Sequence, residues 1–292
     1  MSTILNFGSI NIDYVYAVRH FVRPGETLAS QSLTKGPGGK GFNQSIALAR
    51  AGAHVSHLGK IGQDGIWLRD LLKKEGADVQ YLTETDLPSG HAIIQVDQAG
   101  QNSILLHGGA NLAFLASDYS RLLQSTTTGD IVLAQNETSC VPEMLELAKK
   151  HGATVAFNPA PMSPEVKDFP LQSVDYLFVN EGEAMELSGR ENLAEAADEI
   201  RRRWPNVRLV LTLGAEGVRY MDSKLSLQIP GVKVEAVDTT AAGDTFIGYF
   251  LTGVMSGLPT KACLERACRA AAISVTRRGA ADSVPYLAEL ES

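Results

Sequence analysis

The chain has 292 residues, enough for one large or two modest domains. Apolar residues make up 44% and charged residues 20%, an ordinary globular balance, and no uncharged apolar run nears the ~20 residues that span a bilayer. With 33 acidic and 26 basic side chains the net charge is −7, which disfavours non-specific attraction to nucleic acid or anionic lipid and leaves a small molecule as the expected partner. Cys140, Cys263 and Cys268 show no Cys-x-x-Cys spacing, so neither a disulfide framework nor a zinc site is expected. The first residues lack the basic-then-apolar pattern of a secretory signal, and a reducing, cytoplasmic setting is expected.

The first apolar run, Ile4–Phe7, reads as a buried strand. The stretch 14–35 breaks the pattern that follows. Next comes Gly36-Pro37-Gly38-Gly39-Lys40-Gly41-Phe42-Asn43-Gln44, running into a helix predicted over 45–51. This segment is neither a Walker A loop nor a G-x-G-x-x-G turn. It reads either as a plain turn before a helix or as a close backbone approach to a polar ligand, with Lys40 and Asn43 one turn apart. The six histidines show no metal-binding spacing, and His54 and His57, three apart on a strand, point to opposite faces. A second interruption, 91–107, holds two strand-like runs around a turn at 98–102. The two interruptions read as a small strand-built flap with one face bare of helices, able to cover a substrate or pair with another subunit.

From residue 131 on, strands predicted at 131–134, 154–157, 176–179 and 209–213 alternate with helices such as 142–151. Arg201, Arg202 and Arg203 close one polar helix, where cations complement the C-terminal dipole. Repeated strand-then-helix units make a mostly parallel sheet in a layered α/β sandwich, with ligand loops at the strand C-termini. The last motif is Asp238-Thr239-Thr240-Ala241-Ala242-Gly243-Asp244-Thr245-Phe246, ahead of an apolar helix predicted over 247–255. Small residues at a helix start leave backbone N–H groups open beside the positive dipole end, a site for an anion. Asp244 reads equally as a helix-start acid or as a catalytic carboxylate.

Together, Gly38-Gly39-Lys40-Gly41-Phe42-Asn43-Gln44 and the 238–246 segment resemble the two signatures of the ribokinase-like sugar kinases, the phosphofructokinase-B family, in order and separation. The likeness spans nearly the whole chain, including Gly8-Ser9-Ile10-Asn11-Ile12-Asp13, Asn158-Pro159-Ala160-Pro161 and Asn180-Glu181-Gly182-Glu183, and within the family it is nearest to ribokinases. Alanine at 241 stands where many members have glycine. The resemblance implies one ribokinase-like domain over 1–292, a three-layer α/β/α sandwich with a small β lid formed by about 14–35 and 91–107. It implies ATP-dependent transfer of the γ-phosphoryl group to a sugar primary hydroxyl, with ribose first among acceptors. Another sugar or a nucleoside is the alternative, because 19–22 and Asn136 depart from ribokinases, and a catalytically silent sensor is a further one.

The resemblance also implies roles residue by residue. Asp244 would be the base, with Ala241, Ala242 and Gly243 holding the transferring phosphate. Asn11, Asp13, Gly39, Lys40, Asn43 and Glu137 would bind the sugar, together with Asp244. Asn180, Thr212, Gly214 and Gly217 would bind ATP, and Glu183 would hold Mg²⁺ through water. A monovalent cation, K⁺, would activate from a loop using Asp238, Thr240, Ser274, Arg277, Gly279 and Ser283. Family members also imply a homodimer paired through the lids.

Overall fold

Strand β1 (Ile4–Phe7) sends Ile4 to one core and Leu5 and Phe7 to another, the two-residue alternation of a strand covered on both faces. The computed structural model describes residues 2–290, the side chain of Ser125 excepted. Beside β1 lie β4 (Val55–Ile61) and β5 (Leu82–Glu84) on one side, then β8 (Ile131–Gln135), β9 (Thr154–Asn158), β10 (Tyr176–Asn180) and β11 (Arg208–Thr212) on the other. All these pair in parallel, and β12 (Gly217–Met221) and β13 (Ser226–Pro230) extend the edge antiparallel to give nine strands. The mostly parallel sheet and the layered sandwich therefore match the sequence reading.

One face carries α1 (Lys40–Arg50), α2 (Ile66–Lys74), α7 (Ala242–Met255) and α8 (Thr260–Val275). The other carries α3 (Ala116–Leu122), α4 (Val141–Lys150), α5 (Glu181–Ser188) and α6 (Leu193–Arg203). Helix α7 is buried from Asp244 to Gly253, as its nearly all-round apolar sequence requires. It crosses α1 where Gly248 lies on Ala47, and a side chain at 248 would collide with the α1 backbone. That contact lies one turn beyond Asp244 on α7 and one turn beyond Asn43 on α1, so it brings the two motifs together.

The second sheet has the order β3 (Ser32–Gly38), β2 (Asn11–Ala17), β6 (Gly90–Val96), β7 (Asn102–His107). Strand β7 is exposed throughout, with Ile104, Leu105 and Leu106 in solvent. The flap thus exists as a separate sheet, but its limits differ from 14–35 and 91–107: β2 begins at Asn11, β3 runs to Gly38, and 18–31 contains no strand. Polar and glycine positions of low strand propensity are held there by pairing across β2.

Helix limits also move. The predicted 45–51 and 247–255 helices start earlier, at Lys40 and Ala242, inside the motifs; 142–151 is α4 at Val141–Lys150, and 209–213 is β11 at Arg208–Thr212. His57 is fully buried on β4 against the Ser45 hydroxyl, 2.8 Å away, and burial pushes its pKa down to about 4, so it packs as a neutral side chain. His54 precedes that strand and is exposed. Arg202 and Arg203 pair with Glu199, and Arg201 donates to the Asp222 carbonyl, so the arginine run is spent on tying α6 down.

Candidate active site

The start of α7 is shaped by Ala241, which caps the helix at φ 59°, a left-handed conformation. Holding a non-glycine residue there costs about 1 kcal/mol. Ala241→Gly is therefore expected to stabilise the fold by about 0.5–1 kcal/mol while leaving turnover intact, read from denaturant midpoints at constant m-value. Loss of stability in that variant would show the strain is absent. The Ala242 N–H turns back to the Thr239 carbonyl at 3.3 Å, whereas the N–H groups of Ala241 and Gly243 have no partner among the described residues. Two of the three predicted anion donors are thus open at the positive end of a 14-residue helix.

Asp244, buried in the first turn of α7, is gripped on both oxygens from α1. Asn43 Nδ2 donates to Oδ2 at 3.1 Å and Gln44 Nε2 to Oδ1 at 2.8 Å. The Asn43 Oδ1 atom is buried with no partner among the described residues, an acceptor ready for a hydroxyl. Gln44 belongs to the first motif but carries no predicted role; nothing local in the sequence marks it.

Asp244 opens onto a cleft of about 240 Å³ at the C-terminal ends of β9, β10 and β11. Of the residues given roles by the resemblance, Lys40, Asn180, Glu183, Thr212, Ala241, Ala242, Gly243 and Asp244 line it. So do Asn158, Ala160, Phe178, Val179, Thr239 and Ile247, which carried no predicted role. Gly214 and Gly217 do not line it: Gly217 opens β12 at φ 103°, where a side chain would strike the Ile229 carbonyl, so strand pairing explains that glycine.

Asn180 and Glu183 also spend part of their chemistry on α5. The Asn180 side chain accepts from Glu183 N at 2.9 Å, and Glu183 Oε2 accepts from Asn180 N at 3.0 Å, a capping box. Burial raises the Glu183 pKa over the opposing effects of the Asn180 N–H and Lys40.

The predicted sugar set lies on the lid side of this cleft. Asn11 and Asp13 stand on β2, on the face opposite buried Ile12. The Asp13 carboxyl lies over Gly38, where any side chain would collide with it, which is why this motif position needs glycine. Asn11 Oδ1 accepts from Asn111 Nδ2 at 2.8 Å, and Asn111 also exchanges bonds with the Ile10 N–H and carbonyl. Asn111, 100 residues away in sequence, was not legible as a site residue. Glu137 accepts from Lys40 N at 2.9 Å and from the Ser9 hydroxyl, tying β8's exit loop to the start of α1 next to Gly39.

Charge is concentrated here. Burial, then the nearby Glu137 charge, pushes the Asp13 pKa up to about 7. Burial likewise raises Glu137 despite Lys40 and its hydrogen bonds. Burial opposes the Lys40 ammonium, but Asp244, Glu137 and Glu183 outweigh it, and Lys40 stays charged above its ordinary range. A cation ringed by three carboxylates at an open helix N-terminus suits a polyphosphate beside a hydroxyl-rich ligand.

Of the predicted cation loop, Asp238 bonds Thr240 N at 2.9 Å, the Thr240 hydroxyl at 2.6 Å and Gly279 N at 3.0 Å, joining the two stretches of chain. The side chains of Ser274 and Ser283 bond carbonyls of their own turns, and Arg277 pairs with Glu289. Among the described residues no three His, Cys, Asp or Glu side chains are grouped to hold a metal, and no helix is long and apolar enough to cross a membrane.

The family model for pfkB family carbohydrate kinases matches residues 1–287. The chain belongs to this family. Its relatives include a ribokinase of Haemophilus influenzae, 36% identical over 97% of this chain and 95% of the relative. Among solved structures, ribokinase from Cryptococcus neoformans in complex with ADP superposes with a TM-score of 0.89 at 36% identity, covering 100% of this chain and 99% of that one. Arabidopsis thaliana ribokinase complexed with ribose and ATP gives a TM-score of 0.87 at 27% identity, covering 99% and 97%. As a pfkB carbohydrate kinase, the chain is a phosphotransferase with an alcohol group as acceptor. The nine-stranded sheet and the separate four-stranded sheet are the ribokinase-like architecture expected from the motifs.

Proposed function

We propose that this pfkB kinase transfers the γ-phosphoryl group of ATP to the primary hydroxyl of ribose, with Asp244 as the base. The observation that carries this reading is the buried Asp244 carboxylate, held by Asn43 and Gln44 at the open N-terminus of α7, between the cleft and the lid-side polar set. Asp244 takes the hydroxyl proton, the sugar oxygen bonds to the γ-phosphorus, and the bond to the β–γ bridging oxygen breaks with its electron pair leaving on ADP. The transition state is loose, so positioning and electrostatics do most of the work: Lys40 and the open N–H groups of Ala241 and Gly243 meet the charge on the transferring phosphoryl.

Asn11, Asp13, Gly39, Lys40, Asn43 and Glu137 select the sugar through directional hydrogen bonds. Asn180, Thr212 and the neighbouring loop of Gly214 and Gly217 take the nucleotide. Glu183 suits a largely hydrated Mg²⁺, since it lines the cleft and that ion needs few protein carboxylates; held there, the ion would supply neutralisation of phosphate charge. Two further features belong to this reading: K⁺ held by carbonyls around Asp238, Thr240, Ser274, Arg277, Gly279 and Ser283, and a cytoplasmic homodimer paired through the lids. The exposed apolar run 104–106 on an unpaired edge strand supports the pairing.

The test is ADP release with Mg·ATP against ribose, deoxyribose, fructose, tagatose and nucleosides, each with K⁺ and with Na⁺. Ribose turnover stimulated by K⁺ is expected. Preference for another acceptor keeps the mechanism and replaces the substrate, whereas equal rates in Na⁺ remove the cation site.

A further inference from the structure

Behind Asp244 runs a chain of three buried primary amides contributed by α1, β8 and β1. Gln44 Nε2 donates to Asp244 Oδ1 at 2.8 Å; Gln135 Nε2 donates to Gln44 Oε1 at 2.7 Å and to Asn6 Oδ1 at 2.9 Å; Asn6 Nδ2 donates to the Gly41 carbonyl at 2.7 Å and to the Ser45 hydroxyl at 2.8 Å. All three side chains are at most 1% exposed. Both ends of this chain are acceptor-only: a carboxylate at one end, a backbone carbonyl at the other. Each terminal amide must therefore turn its NH₂ outward and its oxygen inward. The central residue must then offer two N–H groups to two oxygens. Gln135 does so, and among uncharged side chains only a carboxamide provides that pair of donors. The polarity of the whole chain is thus set, and Gln44 is kept from rotating its oxygen onto Asp244.

We propose that Gln44 and Gln135 are positioning residues for phosphoryl transfer: the Asn6–Gln135–Gln44 relay holds the Asp244 carboxylate in the orientation that receives the acceptor proton. The inference rests on the assignment of Asp244 as base. Gln44 acts directly on the carboxylate, while Gln135 acts on it only through Gln44, with no place in the cleft. A filler of core volume at 135 would leave catalysis untouched once an apolar side chain of equal size replaced it. A positioning relay would not, because Gln44 Oε1 is left buried without its donor and the amide is free to shift away from Asp244.

The test compares Gln135→Met, Gln44→Met and Asp244→Asn in the whole chain, measuring kcat, ribose KM and melting temperature. Methionine matches glutamine in shape but donates nothing. For Gln135→Met, kcat is expected to fall about 10-fold with KM within about 2-fold, and for Gln44→Met about 30-fold. A fall in kcat at unchanged KM separates a misplaced base from loss of the sugar site. KM does not depend on the fraction of enzyme folded, and the melting temperature gives that fraction at the assay temperature, so destabilised variants remain informative. An inactive Asp244→Asn enzyme beside methionine variants with wild-type kcat overturns the relay alone. An active Asp244→Asn enzyme overturns the base assignment beneath it.

Discussion

Replacing Asp244 with asparagine is expected to lower kcat by at least ~10²-fold, the scale of a lost general base, with ribose KM changed by no more than about 3-fold. The change is nearly isosteric, but two N–H donors converge on this carboxylate, from Asn43 and from Gln44. An asparagine offers one acceptor oxygen and one NH₂ group, so one of those contacts becomes donor against donor. The variant is therefore expected to lose about 1–2 kcal/mol of stability as well as its base. Steady-state kinetics by coupled ADP assay, ribose calorimetry and denaturant titration read the three effects separately. Turnover within 3-fold of wild type at saturating substrate would take the proton-accepting role away from Asp244 and leave it as a helix-start acid.

The sheet was legible because its strands are covered on both faces: short apolar runs such as Ile4–Phe7 have no other stable place. The lid strands were legible only as interruptions. Asn11, Asp13, Gly36, Pro37 and Gly38 carry weak strand propensity, and their pairing is imposed by the neighbouring chain. The true starts of α1 and α7 were hidden for a related reason. Gly39 at φ 92° and Ala241 at φ 59° are backbone states that sequence periodicity does not report, so the helices were read only from where their apolar pattern begins. Site residues inside the two motifs could be found by resemblance. Asn111, Gln135 and Asn6 could not, because their roles exist only where elements far apart in the chain meet. Gly217 also has a reason that its motif does not report, since a side chain there would strike the β13 backbone across the β12–β13 pairing.

Asp13→Asn is expected to cost kcat/KM for ribose at least ~10²-fold at pH 8 while making the sugar-free protein more stable there. Asp13 titrates near 7 in the folded chain because burial and then Glu137 oppose its charge; the ordinary value is 3.8. Below pH 3.8 the carboxyl is neutral in folded and unfolded chains alike and costs nothing. Between 3.8 and 7 the folded chain holds a proton that the unfolded chain has released, so stability from this group falls as pH rises, and above 7 the fold carries the full burden of a buried anion. The displacement corresponds to at most about 4 kcal/mol at 1.36 kcal/mol per unit, and solvent reaching the half-buried carboxylate reduces the expected gain of the asparagine variant to about 2 kcal/mol. That gain should appear at pH 8 and vanish near pH 4, read from urea midpoints at the two pH values. Sugar binding has the reverse dependence. Hydroxyl donors prefer the anion, so below pH 7 ribose must displace a proton from Asp13, and wild-type affinity is expected to weaken by about 10-fold per pH unit. Calorimetry in two buffers of different ionisation enthalpy counts that proton directly. Binding without proton release at pH 6, or an asparagine variant no more stable than wild type at pH 8, would mean that Asp13 is already ionised before the sugar arrives.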